Sequence, residues 1–152
     1  MAKANKFPLT FNRFAIVKSK YNPEVTNGLL RGALDVFEEL GIHLTSKDVF
    51  EAPGAFEIPL IAQTLARTGR YDGVVCLGCV VKGDTAHFEF ISLAASIGIQ
   101  QASLATAVPI TFGILTTYSD AQAAERAKRG PENKGREAAA ACVASTRVLA
   151  GI

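Results

Sequence analysis

The sequence lacks the features that would point to a membrane or to a nucleic acid. No apolar run is long enough to span a bilayer, and residues 1–7 lack the apolar core of a secretory signal. The net charge is only +2 and the lysines and arginines are scattered, so no nucleic-acid footprint is present. We therefore expect a cytoplasmic protein that binds neither membrane nor nucleic acid.

Cysteines are few, and their number is odd. Cys76 and Cys79 have C-x-x-C spacing inside an apolar segment, and residues three apart on a strand point to opposite faces. No second pair completes a zinc site, and Cys142 lies in a predicted helix. We interpret all three as buried, reduced structural residues, and we expect no metal site.

The length and composition predict a single domain that covers residues 1–152. Of the 152 residues, 49% are hydrophobic and 20% are charged, which provides enough apolar material for a sizeable core. Residues 1–12 form a polar lead that contains Pro8, and we interpret them as an N-terminal arm. The sequence contains no internal repeat and no low-complexity tract.

Strand and helix signals alternate along the chain. Apolar runs predict strands and apolar residues at helical spacing predict helices, with Asn22 capping the first helix and Gly41 closing it. The predicted strands cover 13–18, 48–51, 74–81 and 109–116, and the predicted helices cover 23–40, about 60–69, 86–106, 119–128 and 136–149. This alternation indicates a parallel sheet with helices on both faces. The predicted fold is a flavodoxin-like three-layer α/β sandwich whose four strands have the order 2-1-3-4.

The segment 73–91 holds the first candidate for chemistry. A valine-rich apolar strand ends at Val81, a polar turn follows, and Thr85 or Asp84 caps the next helix. His87 then lies in the first turn of a helix at the carboxyl end of a central strand, where parallel sheets bind ligands. An imidazole there can take and return protons, although a capping or surface histidine is an equally good interpretation.

The predicted strand order places the loops after the first three strands next to one another. Tyr21 in the first loop either offers a flat aromatic face to a ligand or packs in the core. Glu57 either interacts favourably with the dipole of the helix that starts beside it or binds the hydroxyl groups of a polyol. The segment 83–85 offers backbone N–H groups to an anion, but it is neither a Walker loop nor a G-x-G-x-x-G motif. Arg126 and Lys134 form a solvated face, or hold a phosphate if they reach a neighbouring site. Residue types alone thus indicate an enzyme or a binding module for an anionic small molecule.

Taken together, five motifs make the sequence similar to the lumazine synthase family. They have the family's order and spacing, and they run from residue 13 to about residue 148. The motifs are Tyr21-Asn22 before a helix, Pro53–Pro59, Gly78–Glu89, Phe112–Thr117, and Gln122–Arg126 followed by Asn133–Gly135.

The resemblance implies a riboflavin-biosynthesis enzyme that needs no cofactor. It would condense 5-amino-6-(D-ribitylamino)uracil with 3,4-dihydroxy-2-butanone 4-phosphate to give 6,7-dimethyl-8-ribityllumazine, phosphate and water, the penultimate step of the pathway. Two alternatives with the same fold stay open at this point. One is a carrier that binds flavin or lumazine, and the other is a shell protein without catalysis.

The resemblance also implies a role for each residue at a motif position. His87 matches the histidine that transfers protons, and Arg126 matches the phosphate-binding arginine that the adjacent subunit supplies. Tyr21 takes the position of the aromatic residue that stacks on the pyrimidine, where the family often has Phe or Trp. The other positions are Ala55, Phe56, Glu57, Val80, Val81, Lys82, Gly83, Asp84 and Thr85 in one subunit, and Phe112, Lys134, Glu125 and Glu137 in the adjacent subunit.

Finally, the resemblance implies a homo-oligomer whose active sites are shared between subunits. Family members assemble as pentamers, decamers or sixty-subunit shells. The linker 130–135 has the length found in shell formers, but it contains Pro131 and Glu132. We therefore expect a pentameric unit, with shell formation left open. Gly130 replaces a lysine that the family commonly has just before this linker.

Overall fold

The computed structural model describes residues 13–152, and the predicted N-terminal arm at 1–12 lies outside the described residues. Strands and helices alternate along the described chain. They are β1 (Phe14–Ser19), α1 (Pro23–Glu39), β2 (Val49–Ala52), α2 (Ile58–Arg67), β3 (Gly73–Val81), α3 (His87–Thr106), β4 (Ile110–Thr117), α4 (Asp120–Ala127) and α5 (Lys134–Ala150). Short 3-10 turns at Ser46–Asp48 and Ala55–Glu57 precede β2 and α2.

The four strands form one parallel sheet in the order β2-β1-β3-β4. β3 is central: it pairs with β1 over Gly73–Leu77 and with β4 over Val74–Val81. Its residues are buried from Gly73 to Cys79, as expected for a valine-rich strand that is covered on both faces. The strand order and direction confirm the predicted topology.

Helices cover both faces of this sheet. On one face, α1, α4 and α5 enclose a core that contains Phe37 and Val143. On the other face, α2 and α3 enclose a core that contains Ile58 and Ile99. This arrangement confirms the predicted three-layer sandwich, and it leaves the loops at the carboxyl ends of the strands free to form a site.

The three cysteines are free and buried, as predicted. Cys79 and Cys142 belong to the core under α1 and α5, whereas Cys76 belongs to the opposite core. Burial raises the pKa of the Cys79 thiol to about 11, with a further contribution from the Asp120 carboxylate. The described residues contain no group of three His, Cys, Asp or Glu that could hold a metal ion. Within 13–152, no helix is long and apolar enough to cross a membrane.

α2 begins at Ile58, about two residues before its predicted start, and the cap of α1 and the start of α5 also differ from the prediction. Asn22 occupies the N-cap position of α1 with a φ of 54°, but its side chain does not cap the helix. Instead its Nδ2 donates to the carbonyl oxygen of Cys79 at 3.0 Å, because this loop lies against β3. The last helix begins at Lys134 rather than at Arg136, because the side chain of Asn133 caps it two residues earlier.

Candidate functional site

A cleft of about 620 Å³ opens at the carboxyl ends of β1 and β3. Parallel sheets bind their ligands at this edge. The predicted site residues that line the cleft are Tyr21, Ala55, Phe56, Glu57, Val80, Val81, Gly83, Thr85 and His87. Phe88, which the sequence did not single out, also lines it. Three separate loops thus meet in one concave surface.

The loop after β1 forms the first wall of the cleft. The Tyr21 side chain is 71% exposed, so its ring is free to stack on a flat ligand. The Tyr21 N–H donates to Ser19 Oγ at 3.1 Å, and the amide of Asn22 ties the same loop to β3. The ring therefore extends from an anchored backbone, which lowers the ordering cost of binding.

The 3-10 turn Ala55–Glu57 forms the second wall. Buried Ala55 and Ile58 anchor this turn, whereas Phe56 and Glu57 are exposed. A Cβ at Gly54 would lie 3.2 Å from Glu57 Oε2, at the end of a flexible side chain. Because Glu57 is exposed, its carboxylate oxygens can accept hydrogen bonds from ligand hydroxyls.

The start of α3 forms the third wall. His87 is the first residue of the helix and is exposed, and its N–H donates to Thr85 Oγ1 at 3.4 Å. The prediction that Thr85 or Asp84 caps this helix is wrong, because Ala86 occupies the N-cap position and no side chain caps the helix. The first helical turn has N–H groups without intrahelical partners and a partial positive charge, both of which favour an anion. The imidazole therefore lies close to the position that suits an anionic group.

Two predicted residues, Lys82 and Asp84, do not line the cleft. The Lys82 N–H donates to the carbonyl oxygen of Thr117 at 2.9 Å, which continues the pairing of β3 with β4. The Lys82 ammonium lies 5.6 Å from the centre of the Tyr118 ring. The Lys82 side chain thus turns towards the loop after β4, and Asp84 is exposed.

A second, separate cavity of about 510 Å³ lies along β4 between α4 and α5. It contains the predicted residues Phe112, Arg126 and Lys134. Arg126 Nη1 donates to the carbonyl oxygen of Gln122 at 3.4 Å, and Lys134 Nζ donates to Glu137 Oε2 at 2.6 Å. Because this cavity combines two cations with an exposed aromatic ring, it can hold a phosphate next to an apolar group.

The two cavities have no lining residue in common. Phe88 lines the first and Tyr118 lines the second, and their ring centroids are 6.1 Å apart. No sequence pattern predicts this contact, because it depends on where two loops meet. A single chain therefore does not bring Arg126 or Lys134 into the cleft that contains His87.

Together the two surfaces contain groups for proton transfer and for anion binding, but in two cavities that share no lining residue. The cleft supplies a stacking ring, a hydrogen-bond acceptor and an imidazole for proton transfer. The cavity along β4 supplies the cations for an anionic leaving group. Glu57 lines the first surface, and Arg126, Lys134 and the ion-paired Glu137 line the second.

Comparisons with known proteins show which family the sequence is similar to. The family model described as 6,7-dimethyl-8-ribityllumazine synthase matches residues 12–150. A protein of Caulobacter vibrioides named 6,7-dimethyl-8-ribityllumazine synthase 1 is 61% identical over 137 residues, which are 90% of each chain.

More distant relatives carry the same name. The 6,7-dimethyl-8-ribityllumazine synthase of Salinibacter ruber is 50% identical over 132 residues, which are 87% of this chain and 85% of the relative. That of Nitratidesulfovibrio vulgaris is 44% identical over 137 residues, which are 90% of this chain and 88% of the relative. The chain therefore belongs to the 6,7-dimethyl-8-ribityllumazine synthase family.

Proposed function

We propose that the protein is a transferase that makes 6,7-dimethyl-8-ribityllumazine in the penultimate step of riboflavin biosynthesis. It condenses 5-amino-6-(D-ribitylamino)uracil with 3,4-dihydroxy-2-butanone 4-phosphate and releases phosphate and water. The observation that carries this proposal is the single cleft that combines Tyr21, Glu57 and His87 in a member of this family.

In this proposal each part of the cleft recognises one part of the uracil substrate. Tyr21 stacks on the pyrimidine ring, and the main chain at Val80, Val81 and Lys82 frames its edge. The turn Ala55–Glu57 holds the ribityl chain, with the Glu57 carboxylate accepting hydrogen bonds from its hydroxyls. The exposed ring of Tyr21 and the anchored 3-10 turn support these roles.

The chemistry consists mainly of proton transfers, which is why His87 is the proposed catalytic residue. The uracil amine attacks the ketone, and water leaves to give an imine. Phosphate is then eliminated, and the ribitylamino nitrogen attacks the remaining carbonyl carbon and closes the ring with loss of a second water. The exposed imidazole at the start of α3 can exchange protons with the substrate at these steps, and no cofactor is required. Gly83 and Thr85 line the cleft in the loop that lies near the phosphate in this proposal, whereas Asp84 belongs to the same loop without lining the cleft.

The phosphate contacts come from an adjacent subunit in this proposal. Phe112 covers the ring, Arg126 stabilises the departing phosphate, and Lys134 adds a second cation. The separation of the two cavities within one chain supports a homo-oligomer with shared sites, in which we expect a pentameric unit. Gly130 has a φ of 133°, which side chains rarely adopt, so a lysine there would be strained.

Three further properties remain proposals. The chain is one domain covering 1–152 with residues 1–12 as an N-terminal arm, and the family match over residues 12–150 supports a single domain. The protein is cytoplasmic, and its free, buried cysteines support a reducing compartment. Its partners are the two small-molecule substrates and copies of itself, with neither nucleic acid nor membrane among them.

The test is to mix the purified, assembled protein with both substrates and to follow lumazine absorbance and fluorescence. The control without enzyme is essential, because this condensation proceeds slowly unaided. Acceleration that falls by up to about 10²-fold in His87→Ala, while substrate binding survives, supports the proposal.

In Arg126→Ala, the KM for the phosphorylated substrate should rise.

Two outcomes would contradict the proposal. Equal turnover of His87→Ala and the parent would exclude the proton-transfer role of His87. No acceleration by the assembled parent would exclude the synthase function, and it would favour a flavin- or lumazine-binding carrier or a non-catalytic shell protein. Binding of riboflavin to the purified protein, measured by fluorescence quenching, would then separate those two alternatives.

A further inference from the structure

Asn133 is a polar residue that is almost completely buried, although it lies in a polar linker. Only 2% of its surface is exposed, and it lies at the junction between α4 and α5. Buried polar side chains are stable only when they are hydrogen-bonded. Asn133 meets this requirement entirely with main-chain groups, and those groups belong to three different helices or their ends.

The amide nitrogen of Asn133 faces three carbonyl oxygens. Its distance is 2.9 Å to the oxygen of Ala127, 3.1 Å to that of Lys128 and 3.1 Å to that of Gly28 in α1. Its Oδ1 accepts the N–H groups of the first turn of α5, from Gly135 at 2.8 Å and from Arg136 at 3.2 Å. One side chain therefore connects the end of α4, the start of α5 and the middle of α1.

Glycines allow the three helices to approach so closely. A Cβ at Gly32 would overlap the amide of Asn133, and a Cβ at Gly135 would overlap the carbonyl group of Leu29. A Cβ at Gly28 would lie 2.6 Å from the carbonyl oxygen of Ala127. The surface of α1 at this point is thus bare backbone, and the Asn133 amide lies directly against it.

The residues fixed by this amide are the immediate neighbours of the two cations. Ala127 follows Arg126, and Asn133 precedes Lys134. Both cations line the same cavity along β4. The Asn133 amide thus fixes the distance between the backbone positions of Arg126 and Lys134.

We infer that Asn133 is a positioning residue for the phosphate half-site, the cavity along β4 that Arg126 and Lys134 line. Its amide holds these two cations at the separation that suits a phosphate monoester. The inference rests on the proposed function, because a phosphorylated substrate gives the two cations their common ligand. Asn133 itself does not line the cavity and acts only through its two neighbours. Misplacing a binding group by about 1 Å can lower the rate by up to about 10²-fold. Losing the hydrogen bonds between Asn133 and these main-chain groups should therefore change catalysis measurably.

The first test variant is Asn133→Asp. Asp and Asn are equally good at a helix N-cap, so the bonds from Oδ1 to the first turn of α5 remain. The carboxylate cannot donate hydrogen bonds, however, so the bonds to the carbonyl oxygens at the end of α4 and in α1 are lost. A bidentate ion pair between Arg136 and Glu39, with distances of 2.9 and 2.8 Å, still holds the start of α5 to α1.

The second variant, Gly32→Ala, displaces the same amide without changing Asn133. The added methyl group would occupy the space of the Asn133 side chain. Alanine is a better helix former than glycine, so the substitution does not weaken α1 itself. The added Cβ lies closest to Asn133 Oδ1, so Gly32→Ala also disturbs the bonds from Oδ1 to the first turn of α5. The two variants share the loss of the bonds that Nδ2 donates.

A matched control comes from the other half of the site. In Asn22→Gly, the amide bond to Cys79 is lost, while glycine tolerates the φ of 54° at this position. This change loosens the loop of Tyr21 in the cleft, far from the cations. It should raise the KM for the uracil substrate and leave the KM for the phosphorylated substrate close to that of the parent.

The measurements are both KM values, kcat, and the Kd for inorganic phosphate from calorimetry on the assembled protein. For Asn133→Asp and Gly32→Ala, we expect the KM for the phosphorylated substrate and the Kd for phosphate to rise about tenfold. The KM for the uracil substrate should stay within about twofold of the parent value. A purely structural role would not separate the two substrates in this way.

Parent-like values in both variants would overturn the inference, and so would equal changes in both KM values. If Asn133→Asp does not assemble, Gly32→Ala decides by the same criteria. If neither variant assembles, Asn133 is a folding residue and the inference is wrong. An inactive parent would contradict the proposed function, whereas the calorimetric comparison with phosphate would still test the position of the cations.

Discussion

His87 and the three cysteines show how burial determines what a single side chain can do. His87 is exposed at the edge of the cleft, where it can meet a substrate and exchange protons. The thiols lie inside the two cores, and burial raises the pKa of Cys79 to about 11 and that of Cys142 to about 12. At neutral pH these thiols are protonated and shielded, so they act as packing residues.

The buried thiols predict how stability depends on alkaline pH. A thiol whose folded-state pKa lies above its unfolded-state pKa stabilises the fold below the unfolded value of about 9. That contribution is lost as the pH rises from about 9 to about 11 for Cys79. Denaturant unfolding between these pH values should therefore show a falling free energy of unfolding.

The control for this prediction is Cys79→Ala, measured over the same pH range. Other groups also titrate there, so the informative quantity is the difference in slope between the variant and the parent. The slope of the variant should be shallower, because one buried thiol has been removed. Identical slopes would show that Cys79 ionises equally well in the folded and the unfolded state.

At the scale of strands and helices, the strands were the most predictable part of the fold. Each predicted strand end lies within one residue of the observed end, because apolar runs bounded by glycine or polar residues are a local signal. The strand order also followed from the sequence, since alternating strands and helices leave few parallel topologies. These features depend on neighbours in sequence, which the sequence contains directly.

The errors occurred where side chains act over long sequence distances. Asn22 bonds to Cys79, 57 residues away, and Asn133 bonds to Gly28, 105 residues away. Neither contact has a periodic pattern, so local capping rules predicted the wrong use of Asn22 and missed the role of Asn133. For the same reason, the separation of the site into two cavities was implied by the resemblance and not by residue types.

The packing of β4 against β3 and α5 gives a prediction for Gly113. A Cβ at this position would lie 2.7 Å from the carbonyl oxygen of Cys76 and 2.9 Å from the Cβ of Ala138. Both neighbours belong to packed elements that cannot move independently. Gly113→Ala should therefore lower the free energy of unfolding by about 1–3 kcal/mol in denaturant titrations.

Gly83→Ala is the matched control for this prediction. No atom lies within 4 Å of a Cβ at Gly83, so its substitution should change stability by less than about 0.5 kcal/mol. The two variants add the same methyl group and differ only in the space that receives it. A loss in Gly83→Ala as large as that in Gly113→Ala would refute the packing argument.

At the scale of the whole molecule, large apolar side chains on the surface need an explanation. Phe90, Leu93 and Leu104 in α3 are 72%, 61% and 72% exposed, and Leu60 in α2 is 71% exposed. Monomeric proteins rarely leave a large contiguous apolar surface in water, and such surfaces often mark contacts between subunits. These side chains support the proposal of a homo-oligomer, as does the division of the site into two cavities.

Mixed assemblies can test whether the sites are shared between subunits. His87→Ala removes the proton-transfer group from the cleft of its own chain, whereas Arg126→Ala removes a phosphate-binding cation from the half-site that its chain contributes to a neighbour. The assay keeps the phosphorylated substrate below its KM, so that weaker binding lowers the rate. Neither homogeneous assembly should be highly active. In a ring of randomly mixed subunits, about a quarter of the sites pair an intact cleft with an intact neighbouring Arg126.

Refolding the two variants together in equal amounts should therefore recover up to about a quarter of the parent activity. The matched control mixes His87→Ala with Glu57→Ala, which alter the same cleft. No site in that mixture has both residues intact, so its activity should not exceed the mean of the two separate variants. If each site were built within one chain, the His87→Ala and Arg126→Ala mixture would also stay at that mean. Recovery in the first mixture alone would show that the cleft of one subunit is completed by the cations of the next.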